Sequence, residues 1–435
     1  MSYNIELVIF NIYKELKYIL YRMKKGVYYT PIDFFSNGLN YLELPKLNET
    51  TSVLDLCCGN CNLFIGFLNK IRDKYSKNII KSIIKNSLFI DINDIDFSTI
   101  RIWYNNNIEE NDININYIKC DIFANPYMIT SKFDIILSNP PFINLKSETK
   151  YKDELKGLGY YTIFNDTYLL AIDIILRNFI EQCILIMPSQ LFSNYTNNKI
   201  IRKLLNNYSV NNILEFNERN NIFNINQKIS LFDVKHNYQN NMITFMRCQY
   251  LNNKINIIEK NIINKDIYKG IDKIVYLNDD DIELIEHFKD YKRLKDYPNI
   301  LYRCGDIDLS IDKKHITNTK TDYPLVRGRN LNSLDISEYI NKDTVQSKKI
   351  DIKYNKLVCH QISNMNSKRR LYFREVLSNY IISNSCNYIY TKDSSLDIND
   401  IKRILNNDKI DRYFRILSGN NHITIKEISN LPISL

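Results

Sequence analysis

Val53-Leu54-Asp55-Leu56-Cys57-Cys58-Gly59-Asn60-Cys61 reads as a strand that runs into a tight turn, with a helix starting near Asn62. Gly59 permits close backbone approach at that turn. A ligand can sit against such a turn at the C-terminal edge of a parallel sheet. A glycine turn after one strand is common in α/β proteins, so its neighbours have to carry the reading. Short apolar runs at Thr51–Leu56, Ser87–Ile92, Asn116–Lys119, Phe133–Leu137, Cys183–Met187 and Asn212–Phe216 predict strands. Leu63–Lys74, Asp96–Asn105, Thr167–Phe179 and Asn197–Asn207 predict helices between them. Strand and helix in alternation imply an α/β sheet covered on both faces. Ile229–Val234 and Met242–Arg247 add two closing strands.

Four of these strands end in residues suited to a ligand. The first ends in the Asp55 to Gly59 turn. The second ends in Phe89-Ile90-Asp91, and an acid there can accept two ribose hydroxyls or simply cap a helix. The third ends in Cys120-Asp121-Ile122-Phe123, an acid and apolar residues that can bind an adenine amino group and sandwich its ring. The fourth ends in Ser138-Asn139-Pro140-Pro141-Phe142. Two prolines fix φ and restrict the residue before each, so the Asn139 side chain and nearby carbonyls are held rigidly. That suits an amino group that must be gripped rather than deprotonated. No general-base triad stands out in the sequence.

In this order the motifs resemble the amino-group DNA methyltransferases that use S-adenosylmethionine, specifically the N6-adenine type in its gamma arrangement, as found in restriction-modification systems. Apolar residues at helical spacing from Ile5 to Met23 predict an N-terminal helix at 1–25, and the resemblance implies a Rossmann-like S-adenosylmethionine-dependent catalytic domain at 26–248. A C-terminal mixed α/β target recognition domain would follow at 249–435. Gly26-Val27-Tyr28-Tyr29-Thr30-Pro31 is similar to the family's N-terminal element, so Thr30 is expected to help hold the methionine end of the cofactor. Asp55, Cys58 and Gly59 match the cofactor turn, Asp91 the ribose acid, and Asp121 with Ile122 the adenine site. Asn139, Pro140 and Phe142 match the catalytic motif. Phe223, in Phe223-Asn224-Ile225-Asn226-Gln227-Lys228-Ile229-Ser230, matches the residue that stacks on the other face of a flipped base. One departure is Cys61, where the family turn usually has a second glycine. If that position needs φ > 0, a cysteine there is strained by roughly 1 kcal/mol or more.

The second half is expected to read DNA. Residues 243–435 hold 32 Lys+Arg against 25 Asp+Glu, most of the chain's net charge of +9. That excess suggests a polyanionic partner. Pro324-Leu325-Val326-Arg327-Gly328-Arg329-Asn330-Leu331 and Leu357-Val358-Cys359-His360-Gln361-Ile362-Ser363 resemble target recognition domains, as does Ser418 through Ile433. Arg327 and Arg329 are candidates for bidentate contacts to guanine. Lys368, Arg369, Arg370 and Arg374 are candidates for phosphate contacts.

Other features set the class. The 435 residues predict two or three domains, and the Asn, Ile, Lys, Tyr and Phe bias fits a low-GC genome. Nine cysteines without framework spacing read as reduced thiols in a cytoplasmic protein, and no metal site is expected. No apolar run approaches the ~20 residues that span a bilayer. The Gly157 and Gly159 segment, 143–166, is expected to form a mobile loop over the site. The expected partners are double-stranded DNA and a separately encoded restriction endonuclease, with the chain itself a monomer. Three rival readings are a methyltransferase acting on RNA or protein glutamine, a silent DNA-binding module with a weakened cofactor site, and a combined restriction-methylation enzyme. Few residues precede Gly26, which counts against the last.

Overall fold

The computed structural model describes residues 28–109, 113–143, 166–194, 197–217, 222–223, 227–236, 240–418 and 421–434. The expected N-terminal helix and most of the expected 143–166 loop lie outside them. The chain divides into two compact units, Met1–Phe192 with Thr196–Tyr276, and Leu277–Leu435 with Ser193–Tyr195.

The first unit is built on a nine-stranded sheet. Its strands are β1 (Val53–Leu56), β2 (Leu88–Asp91), β3 (Asn116–Lys119), β4 (Phe133–Ser138), β5 (Phe179–Pro188), β6 (Tyr208–Phe216), β7 (Ile229–His236), β8 (Met242–Leu251) and β9 (Lys254–Asn264). Their order is β3-β2-β1-β4-β5-β7-β6-β8-β9. β1 pairs in parallel with both β2 and β4, while β7 lies antiparallel between β5 and β6. All four residues of β1 are buried, as expected for a central parallel strand covered on both faces. The order reverses at β1, and chain leaving β1 and β4 therefore diverges. Such a topological switch leaves a crevice outside the carboxyl ends of the strands.

Helix Asn62–Ile71 returns from β1 and buries Leu63, Phe64, Phe67, Leu68 and Ile71. Gly66 lets it approach helix Ile32–Gly38 closely, because a Cβ there would lie 3.0 Å from the Phe35 ring and 3.1 Å from the Ile32 carbonyl. The bottom of the sheet is tied by Asp134, whose carboxylate accepts from the Ser52 N–H at 2.7 Å and the Ser52 hydroxyl at 2.8 Å. At the top, the Ser138 hydroxyl donates to the Leu56 carbonyl at 2.7 Å, which locks β4 against β1 beside the crevice.

Several elements were not anticipated, among them helix Ile32–Gly38 and the two that follow. Lys77–Lys85 forms a helix that buries Ile80, Ile83 and Ile84. β9 extends the sheet beyond β8, so the change of pattern expected at 249 falls inside β8. β9 is an edge strand with mostly exposed residues, which hides the alternation that marks a strand.

The second unit contains a four-stranded antiparallel sheet in the order Ile300–Cys304, Cys386–Thr391, Lys356–His360, Arg374–Val376. Its core includes Val326, Val358, Tyr388 and Tyr390. Lys356 is buried there, and its ammonium donates to the carbonyls of Ser378 and Tyr380 at 2.9 and 2.8 Å.

Candidate active site

The ends of β1, β2, β3 and β4 meet around one cavity of about 480 Å³. Thr30, Cys58, Gly59, Asp91, Asp121, Ile122 and Asn139 all line it. Asp55, Pro140, Phe142 and Phe223 lie outside that lining.

The β1 turn is stitched by backbone bonds. Cys58 N–H donates to Ile90 O at 3.1 Å, and Cys61 N–H to Cys58 O at 2.8 Å. Gly59 N–H donates to an Asp91 carboxylate oxygen at 2.9 Å. Three residues of the turn are left-handed: Cys57 at φ 60°, Gly59 at 53° and Cys61 at 59°. The position of Cys61 therefore does require positive φ, and a second cysteine, Cys57, shares the strain. Glycine is needed at 59 for space as well, since a Cβ would lie 2.5 Å from the Tyr29 ring.

Asp55 is fully buried behind this turn, and neither of its carboxylate oxygens has a hydrogen-bond partner among the described residues. Burial pushes its pKa up to about 8; the nearby Phe64 backbone N–H pulls the other way, and the Asp91 charge adds a smaller rise. Burial, then the charges of Asp91, Asp55 and Asp121, hold the Cys57 thiol well above its ordinary range and so protonated.

Asp91 does two jobs. One carboxylate oxygen holds the Gly59 N–H, and the other accepts from the Asn93 N–H at 2.9 Å and the Asn93 side chain at 3.2 Å. Asp121 accepts from the Phe123 N–H at 3.0 Å, which sets Ile122 and Phe123 on the cavity wall.

At the end of β4 the Asn139 amide nitrogen donates to the Tyr28 carbonyl at 3.1 Å and to the Thr30 hydroxyl at 3.0 Å. Its oxygen, Oδ1, is buried and has no partner among the described residues. The loop that follows is pinned by Thr167, whose hydroxyl donates to the Pro141 carbonyl and accepts from the Ile143 N–H at 3.0 Å. Phe142 packs edge-on to Tyr168 at 6.3 Å. The Tyr28 ring lies 6.4 Å from Phe142 and 6.1 Å from Phe223, so both expected stacking residues border one tyrosine.

Sequence reasoning missed Tyr28, Asn62, Ile92, Asn93 and Thr167. Ile92 had a usable signal, since it is an apolar residue directly after a strand-end acid, as Ile122 and Phe123 are. Thr167 had none, because its partners lie 24 and 26 residues away.

With this geometry in place, the chain compares with known proteins as follows. Residues 54–223 match the family described as Eco57I restriction-modification methylase. That span begins in β1, contains the ends of β1 to β4, and stops at Phe223. The matched span therefore falls almost wholly within the first unit. The Type II methyltransferase M.VspI of Vibrio sp. (strain 343) is 30% identical over 145 residues, covering 33% of this chain and 32% of that protein. An uncharacterized protein of Mycoplasma genitalium is 24% identical over 190 residues, covering 42% of this chain and 38% of that one. The chain thus spans about a third of each of these curated relatives. Among solved structures, a nuclease-deletion mutant of the Type ISP restriction-modification enzyme LlaGI, in complex with a DNA substrate mimic, has a TM-score of 0.55 at 11% identity, covering 92% of this chain and 53% of that one. The Type IIL restriction-modification enzyme MmeI, in complex with DNA, has a TM-score of 0.52 at 12% identity, with 99% and 66% covered. At these identities the likeness is one of fold.

In the second unit, Arg327 and Arg329 converge on Glu338. Arg327 Nη1 lies 2.8 and 2.9 Å from its two oxygens, and Arg329 Nη2 lies 2.7 Å from one. Against the rise that burial causes, the two guanidinium groups hold the Glu338 carboxyl below its ordinary range. Arg369 pairs with Asp408 at 2.9 Å, and Lys368 is exposed. Arg370 is a correction. It is 4% exposed and stacks on Phe414, 5.1 Å from the ring centroid, so it offers no guanidinium to a phosphate. Among the described residues no helix is long and apolar enough to cross a membrane.

Proposed function

We propose that this chain is a DNA methyltransferase of a restriction-modification system that transfers a methyl group from S-adenosylmethionine to N6 of adenine. The observation that carries the reading is Asn139. Its amide nitrogen is fully engaged, and its oxygen is left as a buried acceptor on a residue that lines the cavity. An exocyclic amine has two N–H groups to give and a lone pair delocalised into its ring. Accepting from those N–H groups, at Asn139 Oδ1 and at the Pro140 carbonyl, would draw the nitrogen toward tetrahedral geometry without a base. The rigid Pro-Pro turn preorganises both acceptors, and positioning supplies most of the catalysis.

The cavity residues fit the cofactor. Asp91 and Asp121 offer acceptors for hydroxyl and amino groups, and Ile90, Ile92, Ile122 and Phe123 give apolar walls for a flat ring. Asp55 keeps a buried carboxyl without a partner just behind the turn, suited to a nearby positive charge. S-adenosylmethionine supplies a methyl group already activated on a sulfonium. An adenine amine is inaccessible inside a duplex, so the base must be flipped out. Phe142 and Phe223, which both border Tyr28, would stack on it. The second unit would read the sequence, with Arg329 and Lys368 exposed for contacts.

The test is incubation with tritiated S-adenosylmethionine and mixed duplex DNA, with RNA and protein acceptors in parallel. Label should appear on adenine. Label confined to cytosine, RNA or protein would defeat the assignment. Calorimetric titration with S-adenosylmethionine separates a live pocket from a silent module.

A further inference from the structure

We propose that Thr30 is a positioning residue for methyl transfer, holding the Asn139 amide in the one orientation that presents an acceptor. This rests on the proposed function and assigns Thr30 a task other than gripping the cofactor. The two ends of an amide have nearly the same shape and opposite hydrogen-bonding roles. Turned by half a rotation, Asn139 would aim its N–H groups at the N–H groups of the substrate amine.

The surroundings decide between these states. The Tyr28 carbonyl can only accept, so the amide atom 3.1 Å from it must be the nitrogen. The Thr30 hydroxyl, 3.0 Å from the same nitrogen, takes the second N–H. The carbonyl sets the sense and the hydroxyl restricts rotation away from it. Thr30 is 3% exposed, so water does not readily replace its hydroxyl. Its own carbonyl accepts from the Asn62 side chain at 2.8 Å, at the start of helix Asn62–Ile71. The amide is thereby referenced to the same turn that borders the cavity. Without the hydroxyl, one amide N–H is left unpaired in a buried place, and the reversed orientation gains population.

Thr30→Val removes the hydroxyl at nearly constant volume, and Thr30→Ser keeps it. S-adenosylmethionine and duplex dissociation constants should stay within about twofold of wild type in both variants. The transfer rate with both substrates saturating should fall about tenfold in Thr30→Val, the worth of one hydrogen bond, and recover in Thr30→Ser. The Asn139 side-chain NH2 resonances, assigned by their loss in Asn139→Asp, should exchange with solvent faster in Thr30→Val. Weakened cofactor binding with an intact saturated rate would overturn the proposal in favour of a cofactor contact. Equal slowing in both variants would reduce Thr30 to packing. Unchanged amide exchange would also overturn it, whatever the activity. A wild-type chain that methylates no adenine sinks the proposed function and, with it, the role in methyl transfer, whereas the exchange measurement needs no turnover and tests separately whether Thr30 holds the amide.

Discussion

Replacing Asp55 by Asn should make the first unit more stable at neutral pH, and the gain should grow with pH. Asp55 is fully buried, its oxygens lack hydrogen-bond partners among the described residues, and its pKa is held at about 8. In the unfolded chain the same carboxyl returns to its ordinary value near 3.8. Between those values the folded state keeps a proton that the unfolded state has released. Stability contributed by this group is therefore greatest below pH 4, falls as pH rises, and levels off above about 8. At ~1.4 kcal/mol per unit, the roughly three units from 3.8 to 7 amount to about 4 kcal/mol. Asparagine escapes that penalty but buries an unpaired amide at ~1–3 kcal/mol. The net gain at pH 7 is then about 1–3 kcal/mol, with little or none at pH 4. The single tryptophan, Trp103, is buried in the first unit and donates to Asn69 at 2.7 Å, so its fluorescence follows this unit in urea. Urea midpoints from pH 4 to 8 should diverge between the two proteins. Parallel curves would show that Asp55 is not held protonated, and the reasoning would fail. Under the proposed function the variant should also bind S-adenosylmethionine more weakly, having lost the carboxylate that a cation can draw out.

Three further outcomes follow from other contacts. Cys61→Gly relieves ~1–2 kcal/mol of left-handed strain, loses about as much in chain entropy and thiol burial, and should leave urea stability within ~1 kcal/mol of wild type. Its cofactor affinity, read by calorimetry, should hold or tighten, and a tenfold loss would show that the thiol itself shapes the pocket. Asn139→Ala should slow transfer by about 100-fold or more while duplex affinity in gel shifts stays within about twofold, the pattern of a group that acts in the reaction rather than in binding. Glu338→Gln releases Arg327 and Arg329 from a shared carboxylate, so duplex binding should strengthen at low salt, with a slope of log K against log salt steeper by about one to two.

Much of the first unit was legible because its information is local. A strand end, its acid and the apolar residues after it sit within five positions, so Asp91, Asp121 to Phe123 and Asn139 to Phe142 could each be read from a short window. The left-handed state at Cys61 was foreseeable for the same reason, as a condition attached to one position of one turn. What remained hidden is non-local. The bond between Thr30 and Asn139 joins residues 109 apart, and nothing near either one announces it. Lys368, Arg369 and Arg370 are equivalent in sequence, yet the fold leaves the first exposed, pairs the second with Asp408 and buries the third against Phe414. The meeting of Glu338 with Arg327 and Arg329 was hidden for the same reason, since it spans 11 and 9 residues.

Four exceptions to ordinary folding rules fall together in the first unit, while others are scattered, such as left-handed Asn252, Asn253 and Asp272 and the buried side-chain oxygens of Gln182 and Asn211. Two non-glycine residues are left-handed in the β1 turn, at Cys57 and Cys61. A carboxyl is buried unpaired immediately before them, at Asp55, and an amide oxygen is buried unpaired at the end of the adjacent strand, at Asn139. Each costs stability, by ~1–3 kcal/mol for strain or for an orphaned polar group. Four such costs at the carboxyl ends of two paired strands are hard to explain as packing errors, because the strands themselves are well made, with β1 wholly buried and Ser138 bonded to Leu56. They are what a site looks like when its geometry is set for something that arrives later. The Asp55 and Asn139 variants address this directly, since each should trade function against stability or leave stability nearly untouched, and a site kept only for folding would do neither.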